Sequence, residues 1–349
     1  MRARPAMSGR AMRVLCRADA SIAIGSGHVM RCATLGRALA ANRHTVDFIC
    51  RDIPGHLNDW LAAQGFAVHR IPVACTPEID ADVCRAVTGG RCYDWLAIDH
   101  YELGADWERA MAAVAERIVA FDDVGRAHEC DLLIDCNVPN PLQNLYRLPA
   151  RCVPLLGPEF ALLRPEFAGL RDASLRRRRD AVRRVLVFMG GNDAANETVK
   201  VLTGLASLGG RDLAVDVVIG AGNPHRDAVE AACGRLAGAT LHLQTEHMPE
   251  LMAGADCMVG AGGNTTWERC ALGLPAIVTI LADNQVQAAE ELAVAGAHIL
   301  LGRHDVLLPA DYARALAGLD ARSLAAMSIA AANICDGRGL PRIMKRLEA

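Results

Sequence analysis

Arg13-Val14-Leu15-Cys16-Arg17-Ala18 and, shortly after it, Gly25-Ser26-Gly27-His28-Val29-Met30-Arg31 read as a strand that passes through a glycine turn into a helix. Val29, Met30, Cys32, Ala33, Leu35, Ala38 and Leu39 recur at the spacing of an apolar helix face, so His28 and Arg31 fall at the helix start. Glycine at 25 and 27 allows a tight turn and the close approach of a ligand. The unpaired N–H groups of a first helical turn attract anions, so a phosphate or diphosphate is the expected ligand. A dinucleotide fingerprint needs a third glycine at position 30, where the chain carries methionine, and this weakens an NAD reading. On pattern alone His28 reads equally as a site base or as an imidazole satisfied at a capped helix end.

Outward from this junction, apolar runs of strand length alternate with alanine-rich helical stretches, the pattern of parallel sheets covered by helices. Strands are expected near 13–18, 45–50, 66–71, 95–99, 117–121 and 132–135. The pattern stops between Asn137 and Asp180, where Pro139, Pro141, Pro149, Pro154, Pro158 and Pro165 precede the run Arg176-Arg177-Arg178-Arg179. That run reads as a solvated loop, with phosphate binding as the competing reading. A second series opens at Arg184-Val185-Leu186-Val187-Phe188-Met189-Gly190-Gly191-Asn192-Asp193, continues into a helix over Ala194 to Leu208, and predicts strands near 213–219, 239–243, 256–259, 275–280 and 298–301 with a helical tail over 321–348. The fold expected is α/β and GT-B-like, with two doubly wound Rossmann-like domains facing a central cleft: 12–150, a connection over 151–182, and 183–349. Ligands of such sheets bind beyond the carboxyl ends of the strands.

At 349 residues, 52 % hydrophobic and a net charge of −3, the chain reads as a compact globular protein with no nucleic-acid partner. No apolar run reaches the roughly 18 residues of a membrane span, so no membrane partner and a cytoplasmic location are expected. A monomer or a weak homo-oligomer fits this composition. The thirteen cysteines form no C-x-x-C pair and sit among Ala, Val and Leu, as reduced core residues do. The stretch before Met12 has no pattern and reads as a disordered extension or a misplaced start.

Polar motifs collect at the expected strand ends. Asp19 follows the first strand, Asp99-His100-Tyr101 follows Trp95-Leu96-Ala97-Ile98, and Asp122-Asp123 follows Ile118-Val119-Ala120-Phe121. Asp99 could orient an imidazole, His100 could act as a second acid or base, and Tyr101 could hold a water or a sugar hydroxyl. For the aspartates, helix capping is the competing reading. Gly260-Ala261-Gly262-Gly263-Asn264-Thr265-Thr266-Trp267-Glu268 follows the strand Cys257-Met258-Val259 and prepares a helix N-terminus for a diphosphate, with Glu268 one turn in to chelate ribose hydroxyls or to complement the helix dipole. Asn284 and Gln285 add polar side chains after Thr279-Ile280-Leu281.

The Gly262-to-Pro275 block resembles the nucleotide-binding lobe of GT-B glycosyltransferases related to the lipid II-forming N-acetylglucosaminyltransferase. Arg17-Ala18-Asp19-Ala20 with Ile24-Gly25-Ser26-Gly27-His28-Val29-Met30-Arg31 is similar to the opening motif of the UDP-2,4-diacetamido-2,4,6-trideoxy-β-L-altropyranose hydrolases of pseudaminic acid biosynthesis. Asp99-His100-Tyr101, Phe121-Asp122-Asp123, Leu162-Leu163-Arg164-Pro165-Glu166-Phe167 and Met189-Gly190-Gly191-Asn192-Asp193 agree in order, so the likeness runs over roughly residues 12–300. The resemblance implies hydrolysis of a UDP-sugar at its anomeric carbon without metal or cofactor. It implies His28 as general base, Tyr101 near the attacking water and Asp19 with them. On the substrate side it implies Gly25, Gly27, Arg31, Asp99, Arg164, Gly191, Asn192, Gly263, Asn264, Thr265, Glu268, Asn284 and Gln285. Asn192 stands where many relatives carry serine, which puts one phosphate contact in question.

Chemistry agrees with that expectation. UDP leaves as a stable anion, so one base aimed at water suffices and direct attack inverts C1. Arg31 and helix amides are expected to neutralise the phosphates. Two other readings stand beside hydrolysis: a GT-B transferase, which needs an acceptor site, and a catalytically silent sugar-nucleotide binder. The chain has no basic amphipathic helix for a membrane-bound acceptor, and this favours hydrolysis over transfer.

Overall fold

The structure, a computed structural model, describes residues 10–72, 76–139, 141–177, 180–209 and 212–349. Residues 1–9 of the stretch ahead of Met12, and Arg178 and Arg179 of the arginine run, lie outside the described residues. The chain forms two compact units, one running up to Leu163 and including Arg338–Ala349, the other Arg164–Gly337.

The first unit is built from β1 (Arg13–Ala18), α1 (Gly27–Ala41), β2 (Thr45–Arg51), α2 (Asn58–Ala63), β3 (Ala67–Ile71), α3 (Pro77–Val87), β4 (Tyr93–Asp99), α4 (Ala105–Met111), β5 (Ala115–Phe121), β6 (Leu132–Asp135) and β7 (Val153–Leu156). Its strands pair in parallel in the order β3-β2-β1-β4-β5-β6-β7. Helices cover both faces, so a central strand must be apolar on both sides. Val14 and Cys16 of β1 enter one core with Val29, Cys32 and Leu35 of α1, while Leu15 enters the other with Leu96 and Ile98 of β4. Strand order reverses between β1 and β4, and in such sheets a crevice forms there at the carboxyl ends of the strands. The N-terminus of α1 follows β1 into it.

The second unit contains α5 (Pro165–Arg176), β8 (Arg184–Phe188), α6 (Glu197–Ala206), β9 (Ala214–Ile219), α7 (Arg226–Arg235), β10 (Ala239–Leu243), α8 (Met248–Gly254), β11 (Cys257–Ala261), α9 (Thr265–Ala271), β12 (Ala276–Ile280), α10 (Val286–Val294), β13 (Ile299–Arg303), α11 (Pro309–Ala317) and α12 (Ala321–Ile334). Its parallel sheet has the order β10-β9-β8-β11-β12-β13, with the same reversal between β8 and β11.

The boundaries differ from those read in the sequence. The stretch 151–182 is not a free connection: it holds β7, an edge strand of the first sheet that tolerates Pro154 because an edge needs no ladder donor there, and α5 of the second unit. Arg177 is bound rather than solvated, since its Nη2 donates to Asp256 Oδ1 at 2.7 Å. The helical tail breaks after α12, and the last helix, α13 (Gly339–Leu347), belongs to the first unit. Leu340, Ile343, Met344 and Leu347 enter the first core, and Trp95 Nε1 donates to Leu347 O at 3.0 Å. Position 339 tolerates only glycine, because a Cβ there would lie 2.2 Å from Ala161 O. Helix α6 begins at Glu197 rather than Ala194, after Asp193 and Asn196 take positive φ angles of 40° and 58°. Among the described residues no single helix is long and apolar enough to cross a membrane.

Candidate active site

Three residues of the opening motif meet at the β1/β4 crevice. Gly25 takes a left-handed φ of 81°, closed by paired Ser21–Gly25 backbone bonds of 3.3 and 2.8 Å, and this turns the chain into α1. His28 and Arg31 lie three residues apart on α1 and so share one face. Both reach Asp99 at the end of β4. His28 Nδ1 donates to Asp99 Oδ1 at 2.5 Å, while Arg31 Nε and Nη2 donate to its Oδ2 and Oδ1 at 2.6 and 2.7 Å. The Arg31 charge lies nearest in effect to Asp99, and together with His28 it overcomes burial and holds the carboxyl well below the usual carboxylate range. The bond to Asp99 places the imidazole proton on Nδ1 and leaves Nε2 as an acceptor. Among the described residues Nε2 has no hydrogen-bond partner.

Tyr101 packs edge-on against His28 with ring centroids 4.8 Å apart and planes at 84°. Its hydroxyl donates to Asp123 Oδ2 at 3.1 Å, and Arg126 Nη1 donates to the Tyr101 carbonyl at 2.6 Å. Asp123 Oδ1 is buried without a partner among the described residues, and burial pushes the Asp123 carboxyl up. A phenol that donates to a carboxylate can only accept from a third group, so Tyr101 is disposed to receive a hydrogen bond from a water or hydroxyl beside His28.

Four residues depart from the expected roles: Arg31, Asp99, Asp19 and His100. Arg31 was read as a phosphate ligand, and Asp99 as a substrate contact; instead Arg31 commits Nε and Nη2 to Asp99, and Asp99 is only 1 % exposed with both oxygens used. Their place is behind the imidazole. Asp19, expected beside His28 in catalysis, is fully buried, with Arg17 Nη1 and Nη2 donating to its two oxygens at 2.7 and 3.0 Å. Its Oδ1 also accepts the Arg51 backbone N–H at 2.7 Å, and Arg17 continues to Asp80 at 2.6 Å. His100 donates from Nε2 to Asp19 Oδ2 at 3.0 Å and accepts the Glu102 N–H at Nδ1 at 3.0 Å. Both ring nitrogens of His100 are thus engaged within the protein, and burial pushes its pKa down.

One array escaped the sequence reading. His128, on the β5–β6 connection, is bonded at Nδ1 to Glu108 Oε1 at 2.6 Å and at Nε2 to Asp122 Oδ2 at 3.0 Å. Two carboxylates outweigh burial and raise it to about 9. Tyr146 donates to both Asp122 and Asp135, at 3.3 and 3.1 Å, and burial raises Asp135 to about 6. The available signal was Asp122 just after β5 and Asp135 at the end of β6.

The second unit gathers the other expected residues around α9. Asn264 is the exposed residue ahead of Thr265, its side chain makes no cap bond, and the first turn is tight, the Thr266 and Trp267 N–H groups donating to Gly263 O at 2.9 Å and Asn264 O at 3.2 Å. Glu268 lies one turn on, on the same face as Asn264. Burial raises its carboxyl to about 7, the nearby Arg164 opposes this, and among the described residues it has no hydrogen-bond partner. Arg164 Nη1 donates to Glu246 O at 2.9 Å. Gln285 Oε1 accepts the Leu281 N–H at 2.9 Å, and its Nε2 lies over Gly263, where a Cβ would be 3.8 Å away. Asn284 is exposed beside it. Gly191 sits in the turn after β8, where its carbonyl accepts the Gly220 N–H at 2.8 Å. Asn192 follows it, and Asp193 closes α6 by accepting the Glu197 and Thr198 N–H groups at 2.9 and 2.8 Å.

With this geometry in hand, residues 184–346 match the family model of the glycosyltransferase family 28 C-terminal domain. The chain is 24 % identical over 285 residues to an uncharacterized protein of Methanocaldococcus jannaschii, covering 79 % of this chain and 57 % of that one. It is 27 % identical over 196 residues to the UDP-2,4-diacetamido-2,4,6-trideoxy-beta-L-altropyranose hydrolase of Campylobacter jejuni, covering 56 % and 66 %. It is also 30 % identical over 148 residues to the spore coat polysaccharide biosynthesis protein SpsG of Bacillus subtilis, covering 42 % and 43 %. The matches thus span less than two thirds of each relative. Among solved structures, Acinetobacter baumannii MurG superposes with a TM-score of 0.67 at 15 % identity, covering 97 % of this chain and 99 % of that one. The calicheamicin glycosyltransferase CalG4 gives 0.64 at 15 % identity over 97 % and 98 %. The fold is GT-B.

Proposed function

We propose that this chain hydrolyses a UDP-linked 2,4-diacetamido-2,4,6-trideoxy sugar at its anomeric carbon and releases UDP. The observation that carries the reading is the Asp99–His28 pair, clamped by Arg31, with one imidazole nitrogen unpartnered among the described residues and a tyrosine set edge-on beside it. A water held between His28 Nε2 and the Tyr101 oxygen attacks C1, and its proton passes to Nε2. The bond from C1 to the diphosphate oxygen breaks with its electron pair leaving on UDP, so C1 inverts. Asp99 carries the counter-charge while Nε2 holds the proton, the role a buried carboxylate plays behind a histidine base. In the second unit, the α9 N-terminus with Asn264 and Thr265 takes the diphosphate, Glu268 accepts from the ribose hydroxyls, and Gln285 with Asn284 borders the same loop. Gly191 and Asn192 add a further loop of that unit to the substrate side, and Arg164 favours the ionised form of Glu268.

The Campylobacter jejuni relative supports this reading by its name, and the likeness to the motif around His28 supports it by residue type. The second reading is transfer to an acceptor, which the glycosyltransferase family 28 match over 184–346 favours. Incubation with the UDP-linked diacetamido sugar and no acceptor, followed by proton NMR, separates the two. Hydrolysis gives UDP and free sugar that first emerges in the inverted anomeric form. Release that waits for an added acceptor identifies a transferase, and UDP binding without release identifies a silent binder.

A further inference from the structure

Cys130 and Cys152 present their sulfurs to each other at 3.5 Å, at the amino end of the first sheet and away from the residues assigned to substrate. Each lies just ahead of a strand. Leu132 of β6 pairs with Val153 of β7, and the Val153 N–H donates to Asp131 O at 3.0 Å, so the backbones that carry the two cysteines are held side by side. Neighbouring strands run about 4.8 Å apart, and disulfides bridge Cα atoms roughly 4.4–6.8 Å apart, so a small side-chain rotation brings the sulfurs to bonding distance.

The two cysteines are not equivalent. Cys130 is fully buried, whereas Cys152 is partly exposed beside Arg151, which is bonded to Asp131 at 3.1 Å and ion-paired with Glu129 at 2.7 Å. The bond between the two sulfurs draws the Cys152 pKa down and pushes that of Cys130 up, with burial adding to the rise of Cys130. A lowered, accessible thiol beside a buried one is the arrangement of an attacking and a resolving sulfur. The buried pair Cys16 and Cys32 also bond through their sulfurs, but both are closed to reagents.

We propose that Cys130 and Cys152 form a thiol–disulfide exchange site for low-molecular-weight disulfides, with Cys152 as the attacking sulfur. The Cys152 thiolate attacks one sulfur of the small disulfide, forms a mixed disulfide and expels one small thiolate. Cys130 then gives up its proton and attacks the Cys152 sulfur; the protein disulfide forms and the second small thiolate leaves. Two protein thiols are oxidised, and one small disulfide is reduced to two thiols. The closed bond joins the connection bearing His128 to the segment bearing Tyr146, both of which contact Asp122, so oxidation braces that array.

The test treats the native full chain with oxidised glutathione, blocks remaining thiols with an alkylating agent, and maps peptides by mass. Exposed Cys92, and Cys75 outside the described residues, are removed as competitors in a Cys75→Ser, Cys92→Ser background and kept in a parallel wild-type sample. The expected result is a peptide crosslinked between Cys130 and Cys152, reversed by a reducing thiol, with Tm raised by roughly 5 °C. Cys130→Ser should trap glutathione on Cys152, and Cys152→Ser should leave Cys130 unmodified. If Cys92 of the wild type is glutathionylated while Cys152 remains fully alkylatable, or if the crosslink forms only after denaturation, the proposal is overturned.

Discussion

Two histidine–aspartate pairs occupy the same edge of the first sheet, and they are built as a crossed set. His28 at the start of α1 bonds Asp99 at the end of β4, while His100, next in the chain, bonds Asp19 just after β1. Both imidazoles are buried, at 8 % and 5 % exposure, so burial does not separate them. What separates them is the second ring nitrogen. His100 Nδ1 is taken by the Glu102 amide, and Asp19 is locked by Arg17 and Arg51 into a buried ionic array that reaches Asp80. His28 Nε2 has no partner among the described residues. Under the proposed function it is therefore the spare nitrogen, not the carboxylate behind the histidine, that sets His28 apart.

That contrast can be broken in several ways. The largest effect expected is on turnover: His28→Ala should lower kcat by about 10²–10⁴ with the fold intact, the range for losing a general base. Assays of UDP release together with circular dichroism check both halves. Asp19→Ala should act on the other side of the contrast and remove roughly 3–5 kcal/mol of stability, because it strands buried Arg17 beside Asp80. Urea unfolding measures this, and an Asp19→Ala protein of full stability but no activity would return Asp19 to the reaction.

Next in size is a pH effect. His128 rises to about 9 in the fold from 6.5. A raised folded pKa means the native state binds the extra proton, so this contribution is complete below about pH 6.5 and is lost as pH rises through about 9. It is worth on the order of 3 kcal/mol. Wild type should lose this stability between those limits and His128→Gln should not, as thermal melts across the range will read.

The smallest effect concerns the second unit. Glu268 rises to about 7, so its acceptor form is lost as pH falls through that value. UDP affinity should weaken about tenfold from roughly pH 8 to pH 6, and Glu268→Gln should bind weakly and without that pH dependence. Isothermal titration reads both.

The sequence carried the alternation of strands and helices well, because sheets covered on both faces need apolar strands throughout, as in Val14–Cys16 and Leu96–Ile98. It hid β7, whose Pro154 suits an edge but argues against a strand in isolation. It hid the destination of α13, since its apolar face does not say which core it fills. In the site, residue types at strand ends were legible, including Asp99 as an imidazole partner. Partnership was not: Arg31 and Asp19 both carry the charge a phosphate site or a reaction requires, and only their distances to Asp99 and Arg17 show which partners they take.

The most direct test is UDP release from the UDP-linked diacetamido sugar, without acceptor, by wild type, His28→Ala and His100→Gln, each checked for native folding. The account predicts release by wild type and by folded His100→Gln at comparable rates, and near-complete loss in His28→Ala. Turnover that survives in His28→Ala but vanishes in a folded His100→Gln protein would contradict it.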